Sequence, residues 1–431
     1  MTQFTRRSFL AAVGLTAAAG TLSACAGPGG STQPTATGTS AALDASKANG
    51  AISFAHWRAE DKAAFETIIG EFTKKYAGTS VRQDITPSND YQSNALAQIR
   101  QGTVGDLFSA FRGAQFNDMA KAGLFTDLTS TGLADKYTAN LIAPGASDGK
   151  QLGFPYQLVL NMPVYNQEML TGVGATAPPA DWDGFLALCE KLKGTGVVPM
   201  AWPGGEIGNA GHLFNSMVMN AAPSDDMCAQ IEAGTMKVTD DWFLGMLKQY
   251  QQLIPYFQPN ATGTAVEPAQ QMFASGKAAM LVTGTFHMAA VRALGAKFGM
   301  NVLSPITTTA DKAKYQGIHN ATFIMGVSTA SKNPNTAFAL LSLLSDPTIA
   351  GKYGDATAQL VTLKNVNYSN ADLNATKGWL DKKTLLAPRF QFNNLNVRNA
   401  VEGACIAVVG GKSPDQAASE AQTVVDQQIK K

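Results

Sequence analysis

The chain has 431 residues, of which 15% are charged, and its formal net charge is +1 at pH 7. This length exceeds what one hydrophobic core usually supports, so two lobes are expected. The balanced charge and the lack of a basic stripe give no electrostatic reason to expect a nucleic-acid partner. The many small and uncharged polar residues suit an extracytoplasmic protein that handles a neutral polar ligand.

Residues 1–24 have the pattern of an export signal peptide and are excluded from the prediction of the fold. Within them, the segment TRRSFL at residues 5–10 looks like a twin-arginine signal. The apolar region at residues 9–22 is short and rich in alanine, which argues against a membrane span; an uncleaved anchor helix is the alternative. The motif LSAC that ends at Cys25 resembles a bacterial lipobox, whose cysteine is lipidated. An exported protein, anchored through Cys25 to the outer face of the cell membrane, is therefore predicted.

Residues 25–50 are predicted to be a flexible tether that starts at the lipidated cysteine. They are rich in Gly, Pro, Ser, Thr and Ala, and they lack the large apolar side chains that would offset the entropy of ordering. A lipid anchor followed by a tether is typical of a folded body held near a membrane surface.

The first part of the body alternates between strand and helix patterns. Strands are predicted at residues 51–57, 80–86 and 105–111, and helices at residues 59–76 and 91–101. This order and spacing predict a parallel sheet with right-handed crossovers. Ligands of such sheets bind beyond the carboxyl ends of the strands. The loops that follow the three strands contain His56, Trp57, Asn89, Asp90, Tyr91, Phe111 and Arg112.

The segment at residues 148–170 is predicted to connect the two lobes. Pro155 removes an amide donor and keeps Phe154 out of helical angles, so the chain is extended there. The apolar run at residues 158–162 then has the composition of a buried strand. We therefore expect the first crossing between lobes near Pro155, with Tyr156 as a candidate ligand contact.

This segment resembles the extracellular solute-binding proteins of ABC importers, in particular their sugar-binding group. In that family the segment has the form Gly-Lys-x-x-Gly-x-Pro-Tyr, followed by Tyr-Asn-x-x-x-Leu. The resemblance implies an α/β, two-lobed periplasmic-binding-protein fold of type II-like topology, with a mixed sheet flanked by helices in each lobe and three hinge crossings. The match is carried by Gly149, Lys150, Gly153, Pro155, Tyr156, Tyr165, Asn166 and Leu170.

A second segment, at residues 179–199, resembles the same family. The family pattern there is Pro-x-x-Trp-x-x-Phe, then Leu-Lys, then Gly-x-x-Pro. The strand predicted after it ends at Trp202, and the polar turn that follows carries Asn209. Both residues are candidate ligand contacts. The pattern is matched by Pro179, Trp182, Phe185, Leu192, Lys193, Gly196 and Pro199.

A third segment, at residues 267–288, resembles the family pattern Phe-x-x-Gly-Lys-Ala-Ala-Met, followed by Gly-x-Trp. Phe286 stands where the family often has tryptophan, so the aromatic plane is kept and the indole donor is lost. His287 is expected to restore a polar contact. At residues 317–321 the family usually has a glycine-rich turn. His319 and Asn320 depart from it and are expected to serve this protein's own ligand.

The resemblance also predicts how the chain divides between lobes. The second crossing is expected near Pro305 and the third near Asp346. The N-terminal lobe would then comprise residues 51–155 with 307–345. The C-terminal lobe would comprise residues 156–306 with 346–431.

A neutral sugar presents ring hydroxyls and two apolar faces, so proteins bind it with aromatic planes and a polar rim. The competing interpretation is that the aromatic residues pack in the core and the polar ones lie in solvated loops. What favours a shared site is that these residues recur at the same end of successive strands. The predicted binding residues are His56, Trp57, Asn89, Asp90, Tyr91, Arg112, Tyr156, Trp202, Asn209, Phe286, His287, His319 and Asn320.

Histidines and cysteines give no sign of a metal site. His56, His212, His287 and His319 have no helical i, i+4 spacing and no accompanying Cys or Glu motif, so they are interpreted as neutral imidazoles. Apart from Cys25, the cysteines are Cys189, Cys228 and Cys405, which allow one disulfide at most. A Cys189–Cys228 pair and three buried free thiols are both compatible with the sequence. No metal and no cofactor is predicted.

An enzyme is the competing class of function. A glycosidase needs two carboxylates in a cleft, and nothing around Asp90 or Asp106 singles them out. No nucleophile elbow, P-loop or dinucleotide turn is present in the sequence. The prediction is therefore a monomeric, non-catalytic lipoprotein that captures a mono- or oligosaccharide and delivers it to ABC transporter permease subunits. The alternatives are a binding protein for another small polar solute, such as a polyamine or amino sugar, and a surface glycoside-active enzyme.

Overall fold

The structure is a computed structural model that describes residues 42–429, except the side chains of residues 88 and 89. The predicted export signal, Cys25 and most of the predicted tether lie outside the described residues. The last part of that tether does not match the expectation. The backbone amide of Asn49 donates to Oγ1 of Thr336 (2.8 Å), and the amide of Asp44 donates to Oδ1 of Asn335 (3.0 Å). Residues 44–49 are thus fixed to the body because backbone groups at both ends of this segment find polar partners there.

Thirteen strands are present in the described part of the chain. They are β1 (Gly50–His56), β2 (Thr79–Ile85), β3 (Leu107–Ala110), β4 (Ala146–Ser147), β5 (Lys150–Gln151), β6 (Phe154–Val159), β7 (Val164–Asn166), β8 (Val198–Ala201), β9 (Ala278–Leu281), β10 (Met300–Val302), β11 (Gly317–Val327), β12 (Leu360–Val361) and β13 (Thr384–Leu386).

Sixteen α-helices accompany them within residues 42–429. They are α1 (Lys62–Lys75), α2 (Ser88–Arg100), α3 (Ala114–Lys121), α4 (Gln167–Gly172), α5 (Trp182–Gly194), α6 (Ile207–Ala210), α7 (His212–Val218), α8 (Met227–Glu232), α9 (Asp241–Leu253), α10 (Val266–Ala274), α11 (Met288–Ala293), α12 (Pro334–Leu344), α13 (Pro347–Thr357), α14 (Ala371–Thr376), α15 (Leu395–Val409) and α16 (Pro414–Ile429). None of these helices is long and apolar enough to cross a membrane.

The larger sheet forms the first lobe, with strand order β12-β6-β11-β3-β1-β2 and with β13 paired to the end of β11. β1 pairs in parallel with both β2 and β3, as the strand–helix alternation predicts. β11 runs antiparallel to β3 and β6, so the sheet is mixed. The carboxyl ends of β1 and β3 therefore lie side by side at one edge.

The smaller sheet forms the second lobe, with strand order β10-β7-β9-β8. β8 and β9 are parallel, whereas β7 pairs antiparallel with both β9 and β10. Helices α5, α9, α15 and α16 supply much of the core around this sheet. A separate apolar cluster contains side chains from strands of both sheets, including Leu158, Val164 and Ile318. The two lobes are thus joined by packed apolar side chains as well as by the chain itself.

The first and third crossings differ from the sequence-based expectation. Pro155 lies within β6 and pairs with Ile324 of β11, so the chain leaves the larger sheet only after Val159. On its other side β6 pairs with β12 only at Gln157 and Leu158, so Pro155 lies where the strand has a free edge, a position at which proline is tolerated. Asp346 caps α13, a helix that packs on α1 of the first lobe. Beyond α13 the chain packs on the second lobe through α14, whose Asp372 binds Arg292, then returns to the larger sheet as β13 before it enters the second lobe again towards α15. Pro305 does lie between β10 and β11, which belong to different sheets.

Side-chain caps fix where several helices begin. Oδ1 of Asn166 accepts from the backbone amides of Glu168 (3.0 Å) and Met169 (3.1 Å) and starts α4. Asn394 caps α15 in the same way, with its Oδ1 2.9 Å from the amide of Asn396. α15 therefore begins at Leu395, and Arg398 lies in its first turn.

The three cysteines in the described residues are all buried free thiols. The Cys189–Cys228 disulfide that the sequence allows is not formed. Cys228 instead places its sulfur 3.2 Å from the carbonyl oxygen of Pro388. Burial raises the pKa of the Cys189 thiol to about 12, which keeps it protonated and unreactive.

Candidate functional site

A cleft opens between the two lobes, with a cavity volume of about 750 Å³. One wall comes from the loops after β1 and β3 together with α2 and α3. The other comes from α6, α7, the turn after β9, and the segment that leads into α15. The residues that line it are Trp57, Arg58, Gln92, Ser93, Leu96, Phe111, Arg112, Ala114, Gln115, Asp118, Gln157, Val159, Asn161, Gly208, His212, Phe286, Asn320, Thr322, Arg389, Phe390, Phe392, Asn393, Leu395 and Arg398.

An aromatic stack forms the first-lobe wall. The rings of Trp57 and Phe111 lie with centroids 3.6 Å apart and planes inclined by 17°. Trp57 follows β1 and Phe111 follows β3, so the parallel pairing of these strands brings the rings together. The ring of Phe323 meets Trp57 edge-on from behind, at 4.9 Å. Trp57 is therefore held at a fixed angle, with part of its surface open to the cleft.

Phe323 adopts an uncommon backbone conformation behind that stack. Its φ is 56°, in the left-handed region that non-glycine residues seldom occupy. The residue is fully buried, and its ring also packs against Phe54 and Phe65. The local twist turns the ring out of the strand's regular alternation and towards Trp57.

The second-lobe wall carries Phe286 and Phe390 on either side of His212. The ring of His212 lies 4.9 Å from that of Phe286 and 6.1 Å from that of Phe390. Phe286 belongs to a 3₁₀ turn at Thr285–His287, and the amide of Thr285 donates to the carbonyl oxygen of Leu160 (3.1 Å). This contact ties the turn to the first crossing segment.

Carboxamides supply polar groups at the floor of the cleft. The side-chain oxygen of Asn320 is buried and has no hydrogen-bond partner among the described residues. One end of the Asn161 carboxamide lies 3.1 Å from Nδ1 of His212, and its other end is buried without a described partner. A buried polar atom left unpaired costs roughly 1–3 kcal/mol, so both groups gain from a ligand hydroxyl.

A hydrogen-bonded network built on Asp61 supports the same floor. Arg58 donates from Nε to Oδ2 of Asp61 (2.9 Å) and from Nη2 to Oδ1 (3.0 Å). Gln157 donates to Oδ2 of Asp61 (3.0 Å), and Tyr353 donates to the same oxygen (2.5 Å). Asp61 is buried, so its charge is neutralised and its lone pairs are filled by these partners. The network orients Arg58 and Gln157 at the cavity surface.

A buried ion pair lies in the second-lobe wall. Arg389 donates from Nε to Oε1 of Glu402 (2.8 Å) and from Nη2 to Oε2 (2.9 Å), a bidentate geometry. Nη1 of Arg389 also donates to the carbonyl oxygen of Gly208 (2.7 Å) and lies 3.3 Å from Nε2 of His212. Burial, with Arg389 close by, holds the pKa of His212 well below its usual value, so this imidazole is neutral.

Two further arginines line the cleft without an ion-pair partner in the described residues. Nη2 of Arg112 donates to the carbonyl oxygen of Ala387 (2.9 Å), while its Nε is buried and unpaired. Burial lowers the pKa of Arg112 to about 10. The guanidinium reaches Ala387 because Gly113, with φ of 87°, lets the loop approach; a Cβ there would lie 2.9 Å from the carbonyl oxygen of Phe390. Arg398 likewise has a buried, unpaired Nε.

Four of the predicted binding residues line this cleft: Trp57, Arg112, Phe286 and Asn320. His56 and Tyr91 lie behind the wall instead. Nε2 of His56 lies 3.0 Å from Oε1 of Gln83, and the buried hydroxyl of Tyr91 lies 2.6 Å from the carbonyl oxygen of Ser109. Both side chains are buried and face the larger sheet: His56 is the last residue of β1, and Tyr91 lies on the face of α2 that packs on this sheet.

Tyr156 and Trp202 are core residues. Both are fully buried, Tyr156 beside Tyr353 and Trp202 stacked on Phe257 with centroids 5.0 Å apart. The indole of Trp202 donates to the carbonyl oxygen of Ala210 (3.1 Å). For these two residues the structure matches the competing interpretation, core packing, because both faces of their strands are covered.

The remaining predicted residues do not line the cavity. Asn209 donates to Glu206 (2.7 Å), His287 lies 3.0 Å from the hydroxyl of Thr283, and His319 lies 2.9 Å from the hydroxyl of Thr384. Burial lowers the pKa of His287 and that of His319 to about 4. Asp90 is exposed in the first turn of α2. The side chain of Asn89 lies outside the described residues.

Several cavity residues were not predicted from the sequence as binding residues: Gln157, Asn161, His212, Arg389, Phe390 and Arg398. Arg389 and Arg398 lie in the C-terminal part, where the sequence shows only a helical pattern. Asn161 lies inside the first segment that carries the family resemblance, and His212 follows the second, so proximity to these segments is a signal that could have been used. Among residues 42–429, no three His, Cys, Asp or Glu side chains gather as metal ligands.

Comparison with known proteins places these features in a family. The family model described as bacterial extracellular solute-binding protein matches residues 56–350, which is more than half of the chain. A binding protein of Brucella abortus (strain 2308) is 23% identical over 302 residues, covering 68% of this chain and 71% of the relative.

Solved structures show the same fold. A chitin oligosaccharide binding protein superposes with a TM-score of 0.70 at 20% identity, over 89% of this chain and 100% of that chain. The apo form of RafE from Streptococcus pneumoniae superposes with a TM-score of 0.78 at 15% identity, over 89% of this chain and 98% of that chain. The two-lobed α/β fold predicted from the sequence is thereby confirmed. The chain belongs to the family of bacterial extracellular solute-binding proteins.

Proposed function

We propose that this protein captures a mono- or oligosaccharide in the cleft between its lobes and delivers it to the permease of an ABC importer. The observation that carries this proposal is the joint presence of an aromatic stack and unpaired carboxamides in one cavity. Trp57 and Phe111 offer a flat apolar surface, and Asn161 and Asn320 each offer a buried oxygen that has no hydrogen-bond partner among the described residues. A sugar ring needs these two kinds of surface at once, because its faces are apolar and its rim carries hydroxyls.

The cavity volume supports the same ligand class. About 750 Å³ lies in the range that small-molecule sites occupy, and it accommodates more than one sugar ring. A polyamine would need carboxylates, yet Asp118 is the one carboxylate residue among the described residues that line the cleft. The polyamine alternative is therefore disfavoured.

Similar proteins add support for a carbohydrate. One structural relative is named for binding chitin oligosaccharide, and RafE has also been solved in complex with raffinose. The positions of the walls are compatible with a ligand that contacts both lobes and shifts the population towards a closed form. We assign Trp57, Arg112, Phe286 and Asn320 to the binding surface, and His56, Tyr91, Tyr156 and Trp202 to its structural support.

The proposal includes export and anchoring. The twin-arginine-like segment and the lipobox-like motif support a lipoprotein whose Cys25 carries the lipid. Replacing Cys25 by alanine should release the protein from the membrane fraction without changing ligand affinity. A Cys25→Ala protein that stays in the membrane fraction would contradict lipid anchoring.

A thermal-shift screen of carbohydrates, followed by calorimetry, tests the central proposal. A ligand that binds only the folded form at 100 times its Kd raises the free energy of unfolding by about 2.7 kcal/mol. We expect at least one carbohydrate to raise the melting temperature and to remain chemically unchanged on prolonged incubation. Cleavage of the bound oligosaccharide would favour the glycoside-active alternative. Stabilisation by polyamines alone would favour a different solute.

A further inference from the structure

The cleft carries more cationic character than a neutral sugar requires. Of the described residues that line it, four are arginines and one is a carboxylate, Asp118, which is exposed on α3. The sequence composition gives no hint of this, since the whole chain is nearly neutral. The arginines differ in whether their charge is already balanced.

Two of the four guanidinium groups are neutralised within the protein. Arg58 is bound in a bidentate manner by Asp61 and also pairs with Glu60 (3.0 Å). Arg389 is bound in a bidentate manner by Glu402. These ion pairs balance the charges of both arginines. Towards a ligand, the remaining N–H groups of Arg58 and Arg389 would therefore act like uncharged hydrogen-bond donors.

Arg112 and Arg398 form no salt bridge within the described part of the chain. Each is partly buried, and each has an Nε that is buried without a hydrogen-bond partner. Arg112 makes one hydrogen bond, to the neutral carbonyl oxygen of Ala387. Within residues 42–429 the side chain of Arg398 makes no hydrogen bond. Burial and the nearby Arg389 lower its pKa, and Glu402, which is already bound to Arg389, offsets them only in part.

The two unpaired arginines come from different lobes. Arg112 lies in the loop after β3 in the first lobe, and Arg398 lies on α15 in the second. Partly buried cations without partners are costly, and an arginine's planar fork matches a carboxylate or sulfate. An anionic group placed between them would satisfy both and would draw the two walls together.

We propose that the natural ligand is an acidic carbohydrate, whose anionic group is held by Arg112 from one lobe and Arg398 from the other. This inference rests on the proposed function, and it narrows the substrate class from sugars in general to sugars that bear a carboxylate or a sulfate. The aromatic stack of Trp57 and Phe111 binds the ring, and the arginines select the charge.

The test compares each acidic sugar with its own uncharged form. The probes are mono- to tetrasaccharides that contain glucuronate, galacturonate, mannuronate or guluronate, each with its neutral methyl ester, and sulfated galactosides with their unsulfated parents. We expect at least one acid to bind about 10-fold to 100-fold more tightly than its neutral counterpart, as a charge-assisted hydrogen bond predicts. Whether the uronate or the sulfate series binds identifies the anion.

Variants separate charge recognition from general damage. Arg112→Gln and Arg398→Gln should each weaken binding of the acidic sugar by about 10-fold to 100-fold. Each should weaken binding of the neutral form by less than about 3-fold. Arg398→Gln loses no hydrogen bond to any described residue, so its melting temperature without ligand should not fall. Arg100→Gln, at an exposed position at the end of α2, is the matched control and should bind both forms like the wild type.

Different failures contradict different claims. If neutral sugars bind as tightly as their acidic forms, or if the variants weaken both forms equally, the acidic ligand is excluded while the proposed function stands. If no carbohydrate of either series binds, both proposals fail. If small non-sugar anions such as citrate bind as tightly as the best acidic sugar, the assignment of a carbohydrate ligand is wrong. The claim that Arg112 and Arg398 bind an anionic group would then still stand.

Discussion

Glu402 binds Arg389 through two parallel hydrogen bonds of 2.8 and 2.9 Å inside the wall of the cleft. The side chains are 0% and 3% exposed, so neither charge can be solvated if the other is removed. Because Arg389 also contacts Gly208 and lies beside His212, this pair fixes the second-lobe wall. The stability of that wall is therefore expected to depend on both charges.

Replacing Glu402 by glutamine should leave Arg389 buried with an uncompensated charge. We expect a loss of about 3–5 kcal/mol in the free energy of unfolding, measured by urea denaturation. Glu71→Gln is the matched control, because Glu71 pairs with Lys352 (2.7 Å) at the protein surface. That change should cost less than about 1 kcal/mol. Equal effects of the two substitutions would show that the buried pair has no special structural role.

Truncation of the aromatic wall should weaken binding more than it weakens folding. Trp57→Ala and Phe286→Ala are each expected to reduce ligand affinity by about 1–3 kcal/mol, measured by calorimetry with the best carbohydrate of the screen. Trp57→Phe keeps an aromatic plane next to Phe111 and should retain most of the affinity. Unchanged affinity in both alanine variants would remove these two residues from the site.

The strained backbone at Phe323 predicts an unusual order of stabilities. Phe323→Ala removes a buried ring and should cost about 3–5 kcal/mol. Phe323→Gly removes the same ring but relieves the left-handed conformation, so it should be more stable than the alanine variant by about 1 kcal/mol. Phe54 is buried in β1 and does not have a positive φ. There the glycine variant should instead be less stable than the alanine variant. Thermal denaturation of the four variants measures both differences. The same order at both positions would argue against strain at Phe323.

Buried histidines should make the protein sensitive to mild acid. Burial lowers the pKa of His56 to about 4, below its ordinary value of 6.5. Below pH 6.5 the unfolded chain takes up a proton that the folded protein does not. The free energy of unfolding is therefore unaffected by His56 above pH 6.5. As the pH falls towards 4, proton uptake by His56 in the unfolded chain lowers the free energy of unfolding by up to about 3 kcal/mol.

Urea denaturation between pH 7 and pH 4.5 measures this loss. His56→Gln should have a flatter pH profile than the wild type, because glutamine takes up no proton in either state. The slope of the free energy of unfolding against pH should differ most between the wild type and His56→Gln from pH 6 to pH 5. This interval lies above the range in which carboxylates titrate. An NMR titration that gives His56 a pKa near 6.5 in the folded protein would contradict this prediction.

Sequence reasoning identified residues of the cleft where short-range rules apply. Trp57 and Arg112 follow parallel strands, and the carboxyl ends of such strands share one edge of a sheet, so their convergence could be predicted. Phe286 and Asn320 were found by comparing segments with the family pattern. The same rules could not show that Tyr156 and Trp202 are core residues and not cleft residues. An aromatic residue near the end of a strand is compatible with either location until it is known what packs on each face of the sheet.

The chain by itself determined the family, the alternation of strands and helices in the first lobe, and the edge of the larger sheet that faces the cleft. These depend on periodicity and on residues close in sequence. Only the tertiary structure decided which arginines face the cleft and which are neutralised there. Arg389 and Glu402 are 13 positions apart, on either side of the start of α15. Arg112 and Arg398 are 286 positions apart and line one cleft only through the arrangement of the two lobes. Charge balance in a buried site depends on distances in space, and no local pattern in the sequence encodes those distances.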